Sequence, residues 1–218
     1  MEGVQITLTL ILIIFTCAIS YQAFNDSAMR SKFVMHPASV NEFGQYYRFL
    51  TSGFLHGNWM HLGVNMYVLF AFGETLERYF LSEFGDLIGR VVFLLLYLGA
   101  IVFSSIPAYL KHKNNQYYSA LGASGGVAAI LFALLIVYPW SKLGFLFIPF
   151  IKFYFIVFGV AYLFYESYMG KKGNDNIGHD AHIAGAFFGL GGIFLISFIL
   201  KPELISDYIY GLTHPPFL

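Results

Sequence analysis

The sequence is poor in charge. Of its 218 residues only 11% are Asp, Glu, Lys or Arg, less than half of the roughly 25% found in soluble proteins. Hydrophobic residues other than glycine make up 58% of the chain. A chain with so few polar groups cannot cover a water-facing surface as one globular domain, so we expect lipid to surround much of it. This composition excludes a soluble globular protein and a disordered chain.

The sequence also lacks net charge and has almost no cysteine. Twelve basic and twelve acidic residues cancel, which leaves no positive surface for nucleic acid and no polybasic patch for anionic lipid. We therefore expect no nucleic-acid partner. The single cysteine, Cys17, lies in an apolar run and cannot form an intrachain disulfide, which excludes a disulfide-stabilised scaffold.

Six apolar segments are long enough to be membrane spans. In hydrocarbon a backbone satisfies its hydrogen bonds only as a helix or a closed barrel, and the alternating pattern of barrel strands is missing. The sequence therefore predicts an all-α, polytopic bundle of six transmembrane helices, a single domain over residues 1–218. The predicted spans are about 4–24, 59–80, 91–110, 121–138, 144–168 and 181–200. A long structured loop is predicted for residues 25–58.

Polar residues gather where the second, fourth and sixth predicted helices begin. These three helices start on the same side of the membrane, so the polar residues share one face. They are His56, His61, Asn65, Ser124, His179, Asp180 and His182. The fourth span, before Pro139, is only about 25 Å long against a hydrocarbon thickness of roughly 30 Å. Its start is therefore predicted below the surface, with Ser124 in a wet polar cavity within the membrane.

Ser124 and His182 have the features of a nucleophile and its base. Ser124 lies within residues 122–126, Gly-Ala-Ser-Gly-Gly, at the first turn of a helix, where free backbone N–H groups favour an anion. Gly185 and Gly189 follow His182 as a small-xxx-small face that allows close packing on the glycines of the fourth span. That packing would bring the His182 imidazole within hydrogen-bond reach of the Ser124 hydroxyl. Each motif alone is equally compatible with tight helix packing.

His61 and Asn65 form a third element of the predicted site. They lie four residues apart, on one face of a helix, and both can donate hydrogen bonds to a developing oxyanion. A structural polar contact between helices is the alternative interpretation.

Three further ionisable residues receive no catalytic role from the sequence. Asp180 and His182 are two residues apart on a helix and point to different faces, so Asp180 is expected to be a solvated acid. His179 is expected at the membrane interface. Glu166, near the end of the fifth span, is expected to reach for the membrane surface.

With these residues in this order, the chain resembles the rhomboid family of intramembrane serine proteases over essentially its whole length. The resemblance rests on His56-x4-His61-x3-Asn65, Gly122-x-Ser124-Gly125 and Ala181-His182-x-x-Gly185-x3-Gly189. It implies that Ser124 is the nucleophile and His182 the general base, in a dyad with no third carboxylate. It also implies an oxyanion hole from His61, Asn65 and the Ser124 backbone N–H, supported by His56.

The resemblance extends to structural residues, with two departures. Glu77 matches a family motif in which the Glu is structural, and Tyr47-Arg48 resembles the family's Trp-Arg pair in the first long loop. The family commonly places an aromatic residue four positions after the nucleophile, stacked on the catalytic histidine. That position is Ala128 here, and the sequence does not name a ring that replaces it.

The resemblance implies a serine endopeptidase that cleaves in or near transmembrane segments of other membrane proteins. Its partners are then transmembrane substrates and the lipid bilayer, while no metal or cofactor is expected and the oligomeric state stays open. We expect the cell membrane, with the amino terminus inside and the active site facing outside. Five basic residues then lie inside and seven outside, which runs against the positive-inside rule.

Other classes of function remain as alternatives. A non-catalytic rhomboid-like protein would bind membrane clients without cutting them, although such proteins usually lack the Ser or the His. A channel, transporter or haem protein is disfavoured, because no two helices carry His at a common mid-membrane depth and no repeated halves are evident. A zinc protease is disfavoured because the sequence has no His-Glu-x-x-His.

Overall fold

The computed structural model of the protein describes residues 6–145, 148–173 and 177–216. Within these ranges the chain is mostly helical. The α-helices are α1 Leu8–Asn25, α2 Ser27–Phe33, α3 Pro37–Phe43, α4 Arg48–Thr51, α5 Trp59–Val68, α6 Glu74–Phe84, α7 Asp86–Ser104, α8 Ile106–His112, α9 Ser124–Val137, α10 Phe155–Lys172, α11 His179–Leu200 and α12 Glu203–Thr213. A 3₁₀ turn spans Ser52–Phe54 and a π-helical turn spans Leu69–Gly73. The strands are β1 Lys142–Phe145 and β2 Ile148–Tyr154.

Three helices in the described ranges are long and apolar enough to cross a membrane. They are α1, the segment Asp86–His112 that combines α7 and α8, and α11. Helix α9 is apolar but has only 14 residues, about 21 Å at 1.5 Å per residue. Helices α5 and α6 continue one another through the π-helical turn. Residues 4 and 5 of the predicted first span lie outside the described residues.

The helix of the predicted fifth span, α10, begins later than the sequence predicts. Strands β1 and β2 pair in antiparallel fashion, with Lys142 opposite Tyr154, and α10 begins only at Phe155. Pro149 has no backbone N–H and breaks a helix interior, while the aromatic and β-branched residues around it favour extended backbone. The prediction of a helix from about residue 144 is therefore wrong before Phe155. Residues 146 and 147 lie outside the described part of the chain.

Helix α9 lies at the centre of the molecule. Every residue from Gly125 to Ile136 is buried, because α7 and α11 pack along this helix and α10, α12 and the π-helical turn contact its other sides. Gly185 and Gly189 of α11 lie against the backbone carbonyl groups of Gly125 and Ala129, and a Cβ atom at either glycine would clash. These two glycines therefore set how closely α11 approaches α9.

At the two glycines of α9, Gly125 and Gly126, the position that a Cβ atom would take points mainly toward α7. A Cβ atom on Gly125 would overlap the Ser104 side chain, and one on Gly126 would lie 2.9 Å from atoms of Tyr97 and Ile101. The expected packing of small residues is thus shared between two contacts. The glycines of α11 meet the α9 backbone, while the glycines of α9 leave room for side chains of α7.

Arg48 holds the long loop between α1 and α5. Its guanidinium is buried and donates through Nη1 to the backbone oxygens of Ser31 at 2.9 Å and Val34 at 2.7 Å. Its Nε donates to Oε1 of Gln45 at 2.7 Å. Each bond joins a different part of the loop to one rigid planar group, so Arg48 fixes the path of the loop above the bundle.

Glu77 joins α6 to the first turn of α1. Its carboxylate accepts hydrogen bonds from the backbone N–H groups of Leu8 at 2.7 Å and Thr9 at 2.8 Å, and from the Thr9 hydroxyl at 2.7 Å. The first N–H groups of a helix have no partners within the helix, and the helix dipole favours a negative charge there. Arg90 Nη1 lies 3.2 Å from the same carboxylate. These contacts give the buried Glu77 a full set of partners.

Candidate active site

The segment that leads into α9 is fixed by the long loop. Met35 and Ala120 exchange two backbone hydrogen bonds of 3.0 and 2.9 Å, and the Gly122 N–H donates to the Ser52 carbonyl oxygen at 3.0 Å. Gly122 has a φ of +127°, which favours glycine because it has no Cβ. A Cβ atom there would also lie 2.8 Å from Cε1 of His61. Glycine at position 122 is thus needed both for the turn and for the contact with His61.

Ser124 is the first residue of α9, and its side chain is partly exposed. The backbone N–H groups at such a helix start lack intrahelical partners and suit a negative charge. A Cβ atom on Gly125 would lie 3.4 Å from the Ala181 carbonyl oxygen, so the start of α9 adjoins the residue before His182. Within the described ranges, Ser124 Oγ makes no hydrogen bond, either to His182 or to another group.

His182 faces a buried carboxylate. Its Nδ1 lies 3.0 Å from Oε2 of Glu166 on α10, although the ring N–H is not aligned well enough with that oxygen to form a hydrogen bond. The same oxygen lies 2.6 Å from Nδ1 of His179, which is hydrogen-bonded to it. The side chains of Glu166 and His179 are only 5% and 4% exposed, and that of His182 is 14% exposed.

Two expectations from the sequence are therefore wrong. Glu166 does not reach for the membrane surface, because α10 turns it toward the start of α11, where imidazole groups offset the cost of burying its charge. His179 is buried against that carboxylate rather than exposed at the interface. Asp180 points elsewhere and lies 3.4 Å from Lys111 in an exposed ion pair, as the helix geometry predicts.

A ring also lies beside the histidine, on α10, where the sequence predicted none. The ring centroids of Tyr162 and His182 are 6.5 Å apart, with an angle of 30° between the planes. Ala128, where the family usually has an aromatic residue, is buried in α9. Tyr162 is four residues before Glu166, so one face of α10 brings both side chains to His182. The sequence signal is this four-residue spacing, which puts the two side chains on one face of α10 but does not identify the helix that they contact.

The cluster of Glu166, His179 and His182 has the donor atoms of a metal site. One ligand atom from each residue lies within 4.8 Å of the others, and zinc accepts His nitrogen and Glu oxygen ligands. In the part of the chain that the structure describes, these three residues could hold a divalent metal ion. The expectation of a metal-free enzyme stays a prediction.

His61 and Asn65 lie on α5, close to the turn at Gly122. The Gly57 N–H donates to His61 Nδ1 at 3.5 Å, a weak bond that favours the tautomer with its proton on Nε2. Nε2 would lie 3.0 Å from a Cβ atom built on Gly122, so that proton faces the start of α9. The buried Asn65 donates one amide proton to the His61 carbonyl oxygen at 2.9 Å.

His56 supports His61 from the loop before α5. The two rings make an edge-to-face contact with centroids 4.9 Å apart. The Ser20 hydroxyl donates to the Phe54 carbonyl oxygen at 2.8 Å, so at 2.9 Å from His56 Nδ1 its oxygen acts as acceptor. Burial and the nearby His61 lower the pKa of His56 to about 3. His56 is therefore a neutral donor that ties α1 to the site.

Comparison with known proteins supports one family. A sequence profile of the rhomboid domain matches residues 43–199. The chain is 33% identical over 147 residues to presenilin-associated rhomboid-like protein A, mitochondrial, of Danio rerio, covering 64% of this chain and 34% of that protein. It is 28% identical over 179 residues to RHOMBOID-like protein 12, mitochondrial, of Arabidopsis thaliana, covering 77% and 51%. It is 30% identical over 183 residues to rhomboid protease GluP of Bacillus subtilis, covering 79% and 33%.

These matches span about a third to a half of the relatives' own length. The profile match extends over well more than half of this chain and contains His56, Ser124 and His182. Together with the apolar helices that are long enough to cross a membrane, the match shows that the chain belongs to the rhomboid family.

Proposed function

We propose that the chain is an intramembrane serine endopeptidase that hydrolyses peptide bonds in or near the transmembrane segments of other membrane proteins. The observation that supports this most is the backbone contact between α9 and α11. Gly125 directly follows Ser124, and Gly185 lies one helical turn after His182. The close approach of these glycines means that Ser124 and His182 lie at the same end of two adjoining helices, which supports their assignment as nucleophile and base. One relative is itself named a rhomboid protease.

The chemistry begins with Ser124. Its Oγ attacks the carbonyl carbon of the substrate while His182 Nε2 takes the hydroxyl proton. The C–N bond then breaks, and the imidazolium gives its proton to the leaving nitrogen. Water, activated by the same imidazole, hydrolyses the acyl-enzyme and restores the free hydroxyl. Because the Ser124 hydroxyl is not hydrogen-bonded to His182 in the substrate-free protein, we expect the pair to tighten when substrate binds, as catalytic hydrogen bonds often do.

The oxyanion is held by donors on two helices. The Ser124 backbone N–H lies at the start of α9, and the Nε2 proton of His61 faces the same turn across Gly122. The second amide proton of Asn65 completes the set. Such fixed donors stabilise the charge that develops in the transition state, and each is worth about 10²- to 10³-fold in kcat.

The proposal includes the position of the site in the membrane. We take α1, α5–α6, α7, α9, α10 and α11 as the six spans. Because α9 is shorter than the roughly 30 Å of hydrocarbon, its amino-terminal end lies in a water-containing cavity below the surface. We place the active face on the side opposite the amino terminus. Several relatives carry the word mitochondrial in their names, so the expected cell membrane gains no support and the proposal names a membrane enzyme without its compartment.

The test is cleavage of a single-span substrate by the purified chain in liposomes, with the cut mapped by mass spectrometry. The Ser124→Ala protein is expected to be inactive, and the Ser119→Ala protein, changed at an exposed serine nearby, to cleave at the normal rate. Full activity of Ser124→Ala would overturn the proposal. A serine-directed fluorophosphonate that labels Ser124 would separate a protease from the alternative, a rhomboid-like protein that binds membrane clients without cutting them.

A further inference from the structure

Glu166 is a charged residue buried within the helix bundle, and the chemistry of a serine–histidine dyad does not use it. Its side chain is 5% exposed, and its Oε2 lies within 3.0 Å of two imidazole nitrogens, one from each end of the first turn of α11. Burying a carboxylate in a membrane protein is costly, and such residues are paired with a functional partner. The partners here are His179, which is hydrogen-bonded to the carboxylate, and His182, which lies 3.0 Å from it and is the general base of the proposed function.

We propose that Glu166 is a positioning residue for His182, so that Ser124, His182 and Glu166 act as a triad in which the carboxylate orients the imidazole. This inference rests on the proposed protease function. A carboxylate that accepts a hydrogen bond from Nδ1 leaves the lone pair of the neutral imidazole on Nε2, the nitrogen that must take the serine proton. The same carboxylate stabilises the imidazolium that forms in the transition state.

His179 holds the carboxylate in place for this task. Its Nδ1 is hydrogen-bonded to Glu166 Oε2 at 2.6 Å, the short distance typical of a charge-assisted bond. A carboxylate oxygen has lone pairs for a second donor, and His182 Nδ1 stands 3.0 Å away with its N–H misaligned. A small rotation of the His182 ring therefore completes the bond. We expect this rotation when substrate draws Nε2 toward Ser124.

Because Glu166 lies on α10, the orientation of His182 depends on how α10 packs against the start of α11. Tyr162, one turn earlier, presents its ring to His182, and a Cβ atom on Gly170, one turn later, would lie 3.2 Å from His179 Cβ. The three residues share the face of α10 that meets the start of α11. The base is thus oriented by α10 rather than by a residue of α9.

The decisive experiment compares Glu166→Gln and Glu166→Asp with the wild type in liposomes. Glutamine keeps an acceptor oxygen for His179 but removes the charge, while aspartate keeps the charge on a shorter arm. We expect Glu166→Gln to lower kcat at least about 100-fold with KM within twofold, given the up to about 10⁴-fold losses on replacing the orienting carboxylate of soluble serine proteases. Glu166→Asp should recover at least tenfold of that loss. Ser167→Ala, at the exposed neighbouring position, should match the wild type.

Two results would overturn the inference. One is a kcat of Glu166→Gln within threefold of the wild type. The other is a loss of kcat that Glu166→Asp does not recover at all. A further measurement needs no variant: a chelator such as EDTA should leave wild-type kcat unchanged, and loss of activity on chelation would show that the cluster serves by holding a metal ion instead.

The controls keep this inference separate from the proposed function. If Ser124→Ala is inactive and Glu166→Gln is fully active, the proposed protease function is supported and only the positioning role of Glu166 is overturned. If Ser124→Ala remains active, the protease itself is overturned whatever Glu166 does. If Glu166→Gln also unfolds at a much lower temperature, its rate of reaction with fluorophosphonate is measured at a temperature where it is still folded. A rate at least tenfold below that of the wild type supports the inference, and a rate within threefold of the wild type overturns it.

Discussion

Gly185 lies directly against the carbonyl group of Gly125, with no room between them for a methyl group. This contact joins the helix that carries the proposed nucleophile to the helix that carries the proposed base. The two helices can lie this close because Gly185 has no side chain. The geometry of the site therefore depends on a residue that takes no part in the proposed chemistry.

Replacing Gly185 by Ala should therefore damage both stability and activity. A methyl group would meet the backbone of α9, which cannot move aside as a flexible side chain can, and overpacking of this kind costs about 1–3 kcal/mol. Thermal unfolding in detergent and the cleavage rate of a single-span substrate measure the two effects. Gly191→Ala on the same helix is the matched control, because nothing lies within 4 Å of a Cβ atom there. Equal behaviour of the two variants would contradict the role of this contact.

Gly122→Ala should reduce cleavage more than stability. Alanine is strained at a φ of +127°, and its methyl group would press on the His61 ring. A displacement of about 1 Å at a catalytic group can cost about 10²-fold in rate, so we expect kcat/KM to fall by that order. Gly63→Ala, two residues after His61 with open space around its Cβ position, should behave like the wild type. An active Gly122→Ala protein would show that His61 does not need its present position.

Glu77→Gln should destabilise the fold while leaving the chemistry of the site intact in the molecules that remain folded. The change removes the charge that two backbone N–H groups of α1 and Arg90 share, and weakening buried charged hydrogen bonds costs about 1–3 kcal/mol each. Glu74→Gln, on the same helix but bonded to the exposed Arg78, should cost less than about 1 kcal/mol. Unfolding by denaturant in mixed micelles would measure both. A larger effect at Glu74 than at Glu77 would be inconsistent with this account.

Acidification should destabilise the protein through His56. Burial and the neighbouring His61 hold the pKa of His56 near 3 in the folded protein, against about 6.5 in an unfolded chain. Below pH 6.5 the unfolded state binds the extra proton, so this contribution to stability is complete above pH 6.5 and is lost as pH falls toward 3. The limiting slope is about 1.4 kcal/mol per pH unit.

The measurement is the free energy of unfolding of the wild type and of His56→Asn at pH 7, 6, 5 and 4. Asparagine keeps a donor for the Ser20 hydroxyl but does not titrate. The wild-type curve should fall more steeply than that of the variant below pH 6. Parallel curves would show that His56 is not held neutral by its surroundings.

Sequence reasoning located the start of α9 well because several local signals agree there. The glycine-rich turn and the uninterrupted apolar run predicted a helix from about residue 121 with Ser124 in its first turn, and α9 begins three residues later, at Ser124. Strands β1 and β2 were missed because a short, mostly apolar run does not by itself distinguish a strand from a membrane helix. Pro149 was the available warning, since it disfavours an unbroken helix through that position.

The proposed role of Glu166 could not be deduced from local pattern alone. A carboxylate near the end of an apolar helix is ordinarily exposed, and its burial here follows from tertiary contacts with His179 and His182, which are 13 and 16 positions later. In the same way, the ring of Tyr162 beside His182 depends on how α10 packs against α11. Long-range contacts of this kind are set by the whole bundle rather than by any segment of sequence.

The hydrogen bond between Leu8 and Glu77 spans 69 positions of the chain, and this has a consequence for biosynthesis. If α1 forms before α6 packs against it, the N–H groups of Leu8 and Thr9 can be satisfied only by water or lipid headgroups. They acquire their final partner only when Glu77 of α6 lies beside them. The first helix therefore reaches its resting position late, and a variant without the carboxylate should leave newly made chains open to membrane quality-control proteases.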